Sequence, residues 1–452
     1  MSKENLTNFT FSNDILHFES LPDKFNDQID QKLKYIDNKI DIKKKIENLI
    51  SGNIVNISEK QSALHPRYRG YFDGQELPKL LRDAEIKAGK FFKKHSDFCI
   101  DNGFKEMNVV TLGIGGSYEG PKLLLESINN PMIVDSSNLL NANYVFITGS
   151  DNSEFNNKIK FLTPDNTIFI VSSKSFTTDE TIESLKKALS WSKDKNKFIA
   201  ITVNSCEVEK YGIKNVINFD KEIGGRYSIW SPITQFHLSG NHRKNFLKGG
   251  LQADIDILNN QKYLNFIKRL SFSDIFYNDT GKSTRAILSY VWSLRSLPNY
   301  FQQLEMESLG KRLNPDSEFK KTGQIVFGGY GPTAQHSYFQ LMHQGTQDLC
   351  ADIIASAEDL DNLAYVQAIT QAKILSSGES EIKLENESKI NGNVPINLFI
   401  LNELNSYSLG YLIATWEYRT YVTAVILGIN PFDQFGVNAG KIYTKKYLAE
   451  KD

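Results

Sequence analysis

The stretch Asn108-Val109-Val110-Thr111-Leu112-Gly113-Ile114-Gly115-Gly116-Ser117-Tyr118-Glu119-Gly120 decides the fold. Its first part is a short β-branched, apolar run, the pattern of a strand buried on both faces. Its second part is a glycine-rich turn, and residues 122–128 continue with helical spacing. Strand, tight turn and helix open a parallel βαβ unit. Working outward, residues 144–147, 167–171 and 198–203 read as further strands, with a helix running to about residue 190. A polar stretch at 240–282 carries weak periodicity. Beyond it, strands are expected at 286–290, 325–328, 352–355 and 395–401. Helices near 297–311, 335–344, 360–374 and 407–427 separate them.

The expected class is therefore α/β, with two doubly wound αβα sandwiches, mainly parallel sheets and a C-terminal arm. The expected division is a helical segment at 1–69 packing on the larger unit, a small unit at 70–240, a large unit at 241–427 and the arm at 428–452. Residues 27–50 supply the helical spacing of the first segment.

The whole chain bounds what this fold serves. Its 452 residues suit two or three packed units. With 52 Lys and Arg against 53 Asp and Glu, no basic stripe points to nucleic acid. Cys99, Cys206 and Cys350 are scattered and form no CxxC, which suits reduced thiols. The first residues lack the zones of a signal peptide, and no run approaches the roughly 18 apolar residues of a membrane span. A cytoplasmic protein without a membrane partner is expected.

Six segments carry chemistry. The Gly113–Gly120 turn lets backbone approach an anion at a helix start. It breaks the dinucleotide fingerprint at Tyr118 and the P-loop at Pro121, and a plain tight turn is the alternative. Ser172-Ser173-Lys174-Ser175-Phe176-Thr177-Thr178 places five hydroxyls and one ammonium ahead of a helix. Hydroxyl donors, a point charge and a helix N-terminus converge on a phosphomonoester. A bare N-cap by Thr177 or Thr178 is the plainer reading. Gly224-Gly225-Arg226-Tyr227-Ser228 lets the chain bend and point a guanidinium into a cleft, where it would stabilise an oxyanion; a surface arginine is the alternative.

In Gln303-Leu304-Glu305-Met306-Glu307-Ser308-Leu309-Gly310-Lys311, Glu307 and Lys311 stand four apart. A surface ion pair is the common outcome of that spacing. Apolar neighbours make burial of Glu307 plausible, and burial would suit it to act as a base near neutrality. His336 and His343 are seven apart, on one helical face if the helix is continuous. His336 is placed at the helix start, His343 in a structural role. Lys441, in Phe435-Gly436-Val437-Asn438-Ala439-Gly440-Lys441, reads as solvated when taken alone. No metal-ligand pattern appears.

Taken in order and spacing, these segments resemble the phosphoglucose isomerase family across roughly residues 65–445, in its shorter bacterial form. The resemblance implies two sugar-isomerase (SIS-type) sandwiches. It implies reversible conversion of D-glucose 6-phosphate and D-fructose 6-phosphate, a step of glycolysis and gluconeogenesis, with no metal and no cofactor. Ser117, Ser173, Lys174, Ser175 and Thr178 would hold the 6-phosphate, beside Gly116. His336 and Lys441 would assist ring opening, Glu307 would move the proton between C1 and C2, and Arg226 would stabilise the enediolate. Gly225, Gln303 and Gln434 would line the sugar, and Glu180 would orient the histidine. In the family that histidine comes from the partner subunit, so a homodimer is implied. Leu309, Asn438 and Thr234 depart from the family's usual residues, none of them at a proposed catalytic position.

The rivals are weaker. The isomerase half of a hexosamine synthase would need an ammonia-supplying domain with an N-terminal cysteine, and this chain begins Met1-Ser2. A catalytically silent sugar-phosphate-binding protein could dispense with Glu307, Arg226 or His336, and all three are present. A dinucleotide oxidoreductase is opposed by the broken fingerprint.

Overall fold

The computed structural model describes residues 8–21, 26–70, 79–127, 140–238, 240–378 and 388–450. Eleven strands among them form two sheets. In the first, β3 (Glu106–Leu112) lies between β4 (Asn141–Ile147) and β5 (Thr167–Ser172), followed by β6 (Phe198–Thr202) and β7 (Asn215–Asn218). All its pairings are parallel. Met107 to Leu112 are all buried, because both faces of β3 are covered. Val109 packs with Phe91 and Phe92 of the helix Lys79–Asp101. Val110 and Leu112 pack with Leu185 and Ala188 of the helix Asp179–Ser192. Strand alternation thus splits one apolar run between two cores. The helix after the glycine turn spans Glu119–Ser127; residue 128, its expected end, lies outside the described residues.

The second sheet has β8 (Thr284–Ser289), β9 (Ile325–Tyr330), β10 (Leu349–Ser356) and β11 (Ile396–Leu401) in the parallel order β11-β10-β8-β9. The expected α/β class with mainly parallel sheets is present.

The N-terminal segment corrects the all-helical expectation for 1–69. β1 (Phe9–Ser12) and β2 (Leu16–Ser20) form an antiparallel hairpin that pairs antiparallel with β11 and extends the second sheet. Phe11 and Phe18 both rest on Phe266, at ring separations of 4.7 and 4.8 Å. Each strand offers only two buried apolar residues or fewer, so its period-two signal is short. Two helices do follow, Asn26–Lys39 and Ile42–Ile50, with Asp41 capping the second.

The polar stretch at 240–282 contains the helices Gly240–Asn259 and Gln261–Asp279. The second is buried on nearly all sides after its first turn, so it lacks the apolar stripe that marks a surface helix. The helix Ser406–Leu427 is buried in the same way and packs against Gly240–Asn259. A Cβ on Gly249 would fall 1.8 Å from the Tyr407 carbonyl, so only glycine permits this approach. The helix expected at 335–344 is instead two short ones, Gly331–Gln335 and Phe339–Gln344. His336 therefore follows a helix end, and it shares no continuous helical face with His343. No helix among the described residues is long and apolar enough to cross a membrane.

A buried ionic cluster ties the helices Gly240–Asn259 and Ser406–Leu427 to the short helices His65–Arg69 and Gly225–Trp230. Arg69 Nε donates to Asp254 Oδ2 at 2.9 Å and its Nη1 to Glu417 Oε2 at 2.6 Å. Tyr418 donates to Asp254, and Trp230 Nε1 donates to Glu417 Oε1 at 2.9 Å. His65 lies 3.9 Å from Glu417 and is kept neutral by burial and by Arg69. Two carboxylates share one guanidinium, so the cluster carries excess negative charge unless it keeps a proton. Burial pushes Asp254 up to about 6 and Glu417 up to about 7, against the pull of Arg69. Both are raised, so the folded chain binds protons more tightly than the unfolded one. That contribution is complete below about pH 4 and is lost as pH rises through both folded values. Glu417→Gln is therefore expected to flatten the fall in urea midpoint between pH 5 and 8. An unchanged slope would rule out this origin.

Candidate active site

The chemistry-bearing segments converge because of where their elements end. The Ser172–Thr178 loop leaves the C-terminal end of β5, and the glycine turn leaves that of β3. Open α/β sheets place ligands at this end. The Ser loop is internally braced. Ser173 Oγ accepts the Phe176 N–H at 3.1 Å and contacts Thr178 Oγ1 at 3.1 Å. The Lys174 carbonyl accepts Val203 N–H at 3.1 Å and Thr202 Oγ1–H at 2.9 Å. Phe176 is fully buried with φ of +56°, a conformation that bulky residues rarely adopt. Its ring anchors the turn so that Ser173, Lys174 and Ser175 face the cleft. Thr178 occupies the N-cap of Asp179–Ser192 but makes no capping hydrogen bond. The plain N-cap reading fails, and the helix start remains available to an anion. Burial lowers Lys174 from the usual lysine range, Arg226 adding to the effect and Glu59 and Glu222 opposing it.

The glycine turn meets the arginine turn directly. A Cβ on Gly116 would lie 1.9 Å from the Gly225 carbonyl, so neither backbone could approach with a side chain there. Ser228 Oγ bridges the two turns, donating to the Gly225 carbonyl at 2.7 Å and lying 3.3 Å from that of Gly116. Arg226, in the short helix Gly225–Trp230, is thereby fixed at the cleft wall with its side chain only 2% exposed.

Glu307 arrives from the helix Leu297–Leu309. Leu297, Tyr300, Phe301, Leu304, Glu305, Ser308 and Leu309 form its buried stripe. Glu305 lies on that stripe and bonds Arg285 and Trp416, whereas Glu307 turns to the cleft. Glu307 Oε2 accepts Arg226 Nη1 at 2.8 Å, and Oε1 accepts Gln303 Nε2 at 2.9 Å. Two expectations are corrected here. Glu307 is not buried, its side chain being 31% exposed. Nor does it pair with Lys311, which reaches Asp433 Oδ1 at 2.9 Å instead.

A cleft of about 580 Å³ is lined by Gly116, Ser117, Ser173, Lys174, Ser175, Thr178, Glu180, Gly225, Arg226, Gln303, Glu307, Gln434 and Lys441. Gln434 also lies 3.4 Å from Arg226 Nη1. Lys441 is on the exposed helix Asn438–Ala449. His336 is the exception: it is exposed and does not line this cleft. Arg226 Nε and Gln303 Oε1 are buried without a hydrogen-bond partner among the described residues. Both residues line the cleft, where a bound polar group can satisfy these atoms. A larger cavity of about 1130 Å³ adjoins at Glu307 and Gln434 but contains none of the Ser172–Thr178 hydroxyls. Sequence reasoning gave no role to Phe176 or Asp433, and it set Lys311 beside Glu307 rather than Asp433. Of the two without a role, only Asp433 carried a signal, as a charge next to Gln434.

The sequence matches the phosphoglucose isomerase family over residues 22–452. It is 32% identical to the glucose-6-phosphate isomerase of Wigglesworthia glossinidia brevipalpis, covering 93% of this chain and 83% of that protein. The glucose-6-phosphate isomerase of Legionella pneumophila is 33% identical, over 89% of this chain and 83% of its own length. A crystal structure of a glucose-6-phosphate isomerase from Chlamydia trachomatis aligns with a TM-score of 0.80 over 98% of this chain and 90% of that one, at 22% identity. That likeness is one of fold. The sequence match runs through both sheets and the cleft between them, and the chain belongs to the phosphoglucose isomerase family.

Proposed function

We propose that this isomerase interconverts D-glucose 6-phosphate and D-fructose 6-phosphate, with Glu307 as the base that moves a proton between C1 and C2. The observation that carries the reading is the Arg226–Glu307 pair, 2.8 Å apart on the wall of a cleft that also holds the Ser173–Thr178 loop. The loop takes the phosphate, and that remote binding energy positions the reacting carbons. Lys441 and His336 move the proton from O1 to O5 and open the ring. Glu307 takes the proton alpha to the carbonyl, while Arg226 offsets the charge that develops on oxygen. Glu307 then returns the proton to the neighbouring carbon. Gln303 and Gln434 hold sugar hydroxyls. A homodimer supplies His336: its exposure, away from this chain's own cleft, supports donation to a second copy's site. Glu180 lines the cleft where it would meet that incoming ring.

The reaction is tested by incubating the protein with fructose 6-phosphate and a chelator and reading glucose 6-phosphate through a coupled dehydrogenase. Absence of turnover would remove the proposal. Glu307→Gln is expected to lower kcat at least about 10²-fold, with KM within a few-fold of wild type. An active variant would exclude Glu307 as the base.

Lys174 gives a pH signature. Its lowered value means that the ammonium is lost at a lower pH than an ordinary lysine's. KM for the sugar phosphate should therefore climb on the alkaline side, and Lys174→Arg should push that climb to higher pH. A KM profile that this substitution leaves unmoved would exclude Lys174 as the anchor.

Subunit sharing is tested by mixing two inactive variants, Glu307→Gln and His336→Ala, after dissociation. If each site takes His336 from its partner, a mixed dimer has one intact site, and random re-association restores about a quarter of wild-type activity. Sites confined to one chain would regain none.

A further inference from the structure

Asp433 sits where the anchored part of the C-terminal segment ends. Just before it, Phe432 is buried among Tyr227 and Tyr421, with ring separations of 5.4 and 5.9 Å. Just after it, Gln434 and Phe435 are exposed, and the helix that carries Lys441 begins four residues beyond Gln434. Asp433 itself is 8% exposed. Its Oδ2 accepts Ser58 Oγ–H at 2.7 Å and Asn430 Nδ2–H at 3.0 Å. Its Oδ1 accepts Lys311 Nζ–H at 2.9 Å. Its backbone carbonyl accepts both Lys311 Nζ and Arg226 Nη2, the latter at 2.6 Å.

Lys311 follows Glu307 by one helical turn, just past the helix end at Leu309. A single lysine therefore joins the end of the Glu307 helix to the residue whose carbonyl holds Arg226. The pair is largely withdrawn from water, at 15% and 11% side-chain exposure. Charge-assisted contacts gain strength in such surroundings. Arg226 has its Nη1 on Glu307 and its Nη2 on Asp433, so the guanidinium plane is set from both sides.

We infer that Lys311 and Asp433 are positioning residues: they form a latch that fixes the Arg226 guanidinium against Glu307. Neither needs to touch substrate. The inference rests on the roles proposed for Arg226 and Glu307. A shift of about 1 Å in a positioned group costs on the order of 10²-fold in rate. The latch therefore acts on kcat more than on phosphate capture, which belongs to the separate Ser173–Thr178 loop.

The test uses the full chain. Lys311→Met and Asp433→Asn should each lower kcat about 10–100-fold, with KM changed no more than a few-fold and thermal unfolding still cooperative. Lys311→Arg keeps the charge and should recover most of the loss. The decisive arm is a double-mutant cycle with Arg226→Ala. If Lys311 acts through Arg226, adding Lys311→Met to Arg226→Ala lowers kcat no further. A general loss of structure would lower it again and overturn the latch. Near wild-type kcat in Lys311→Met and Asp433→Asn would also overturn it. A fully active Arg226→Ala would instead remove the underlying assignment of Arg226, a distinct result.

Discussion

Arg226 and Glu307 reach their 2.8 Å contact from opposite halves of the molecule. Arg226 stands on a turn that follows the last strand of the five-stranded sheet. Glu307 stands on a helix that follows β8 of the six-stranded one. A charge pair across such a seam has meaning only if both supports are rigid. On one side, the Gly116–Gly225 backbone contact and Ser228 lock the arginine turn. On the other, a buried stripe seats the Glu307 helix, and Glu305 on that stripe rivets it to Arg285 and Trp416. Two glutamates two positions apart thus do opposite things. Helical geometry aims them some 200° apart, one into the core and one into the cleft.

Both polar networks behind the cleft obey the same economy of charge. Arg285 and Arg419 are surrounded by Asp274, Asp352 and Glu305, and Arg69 by Asp254 and Glu417. Such buried ions add little net stability, since desolvation consumes most of the Coulombic gain. Their effect here is geometric. Trp230 ends the arginine turn, and its hydrogen bond to Glu417 fixes that turn to the long central helix.

The sequence made the doubly covered strands readable, because β5 and β6 are near-continuous apolar runs and β3 centres on Val109-Val110. It did not reveal β7, whose Asn215 and Asn218 blur an edge strand, or the N-terminal hairpin, whose signal is too short. The helix Gln261–Asp279, buried on nearly every side, escaped notice because amphipathic spacing needs a wet face, whereas the equally buried Ser406–Leu427 was legible as one long apolar stretch. Around the cleft, residue chemistry was informative wherever several donors were contiguous, as in Ser172–Thr178. It misled where partners are distant. Spacing paired Lys311 with Glu307 four residues away, whereas its partner Asp433 lies 122 residues on.

The occupied state of Glu307 in the free chain sets a condition on the chemistry. Its two oxygens accept from Arg226 and Gln303. A base needs one of those lone pairs facing carbon. Gln303 is the more dispensable partner, since its contact is neutral and its Oε1 has no hydrogen-bond partner among the described residues. Arg226 is held by the Asp433 carbonyl and yields less easily. In the proposed mechanism, substrate entry would trade the neutral contact at Oε1 for a sugar contact and preserve the charged one at Oε2. The guanidinium would then stay beside the carbons to be rearranged, already oriented before negative charge develops on oxygen.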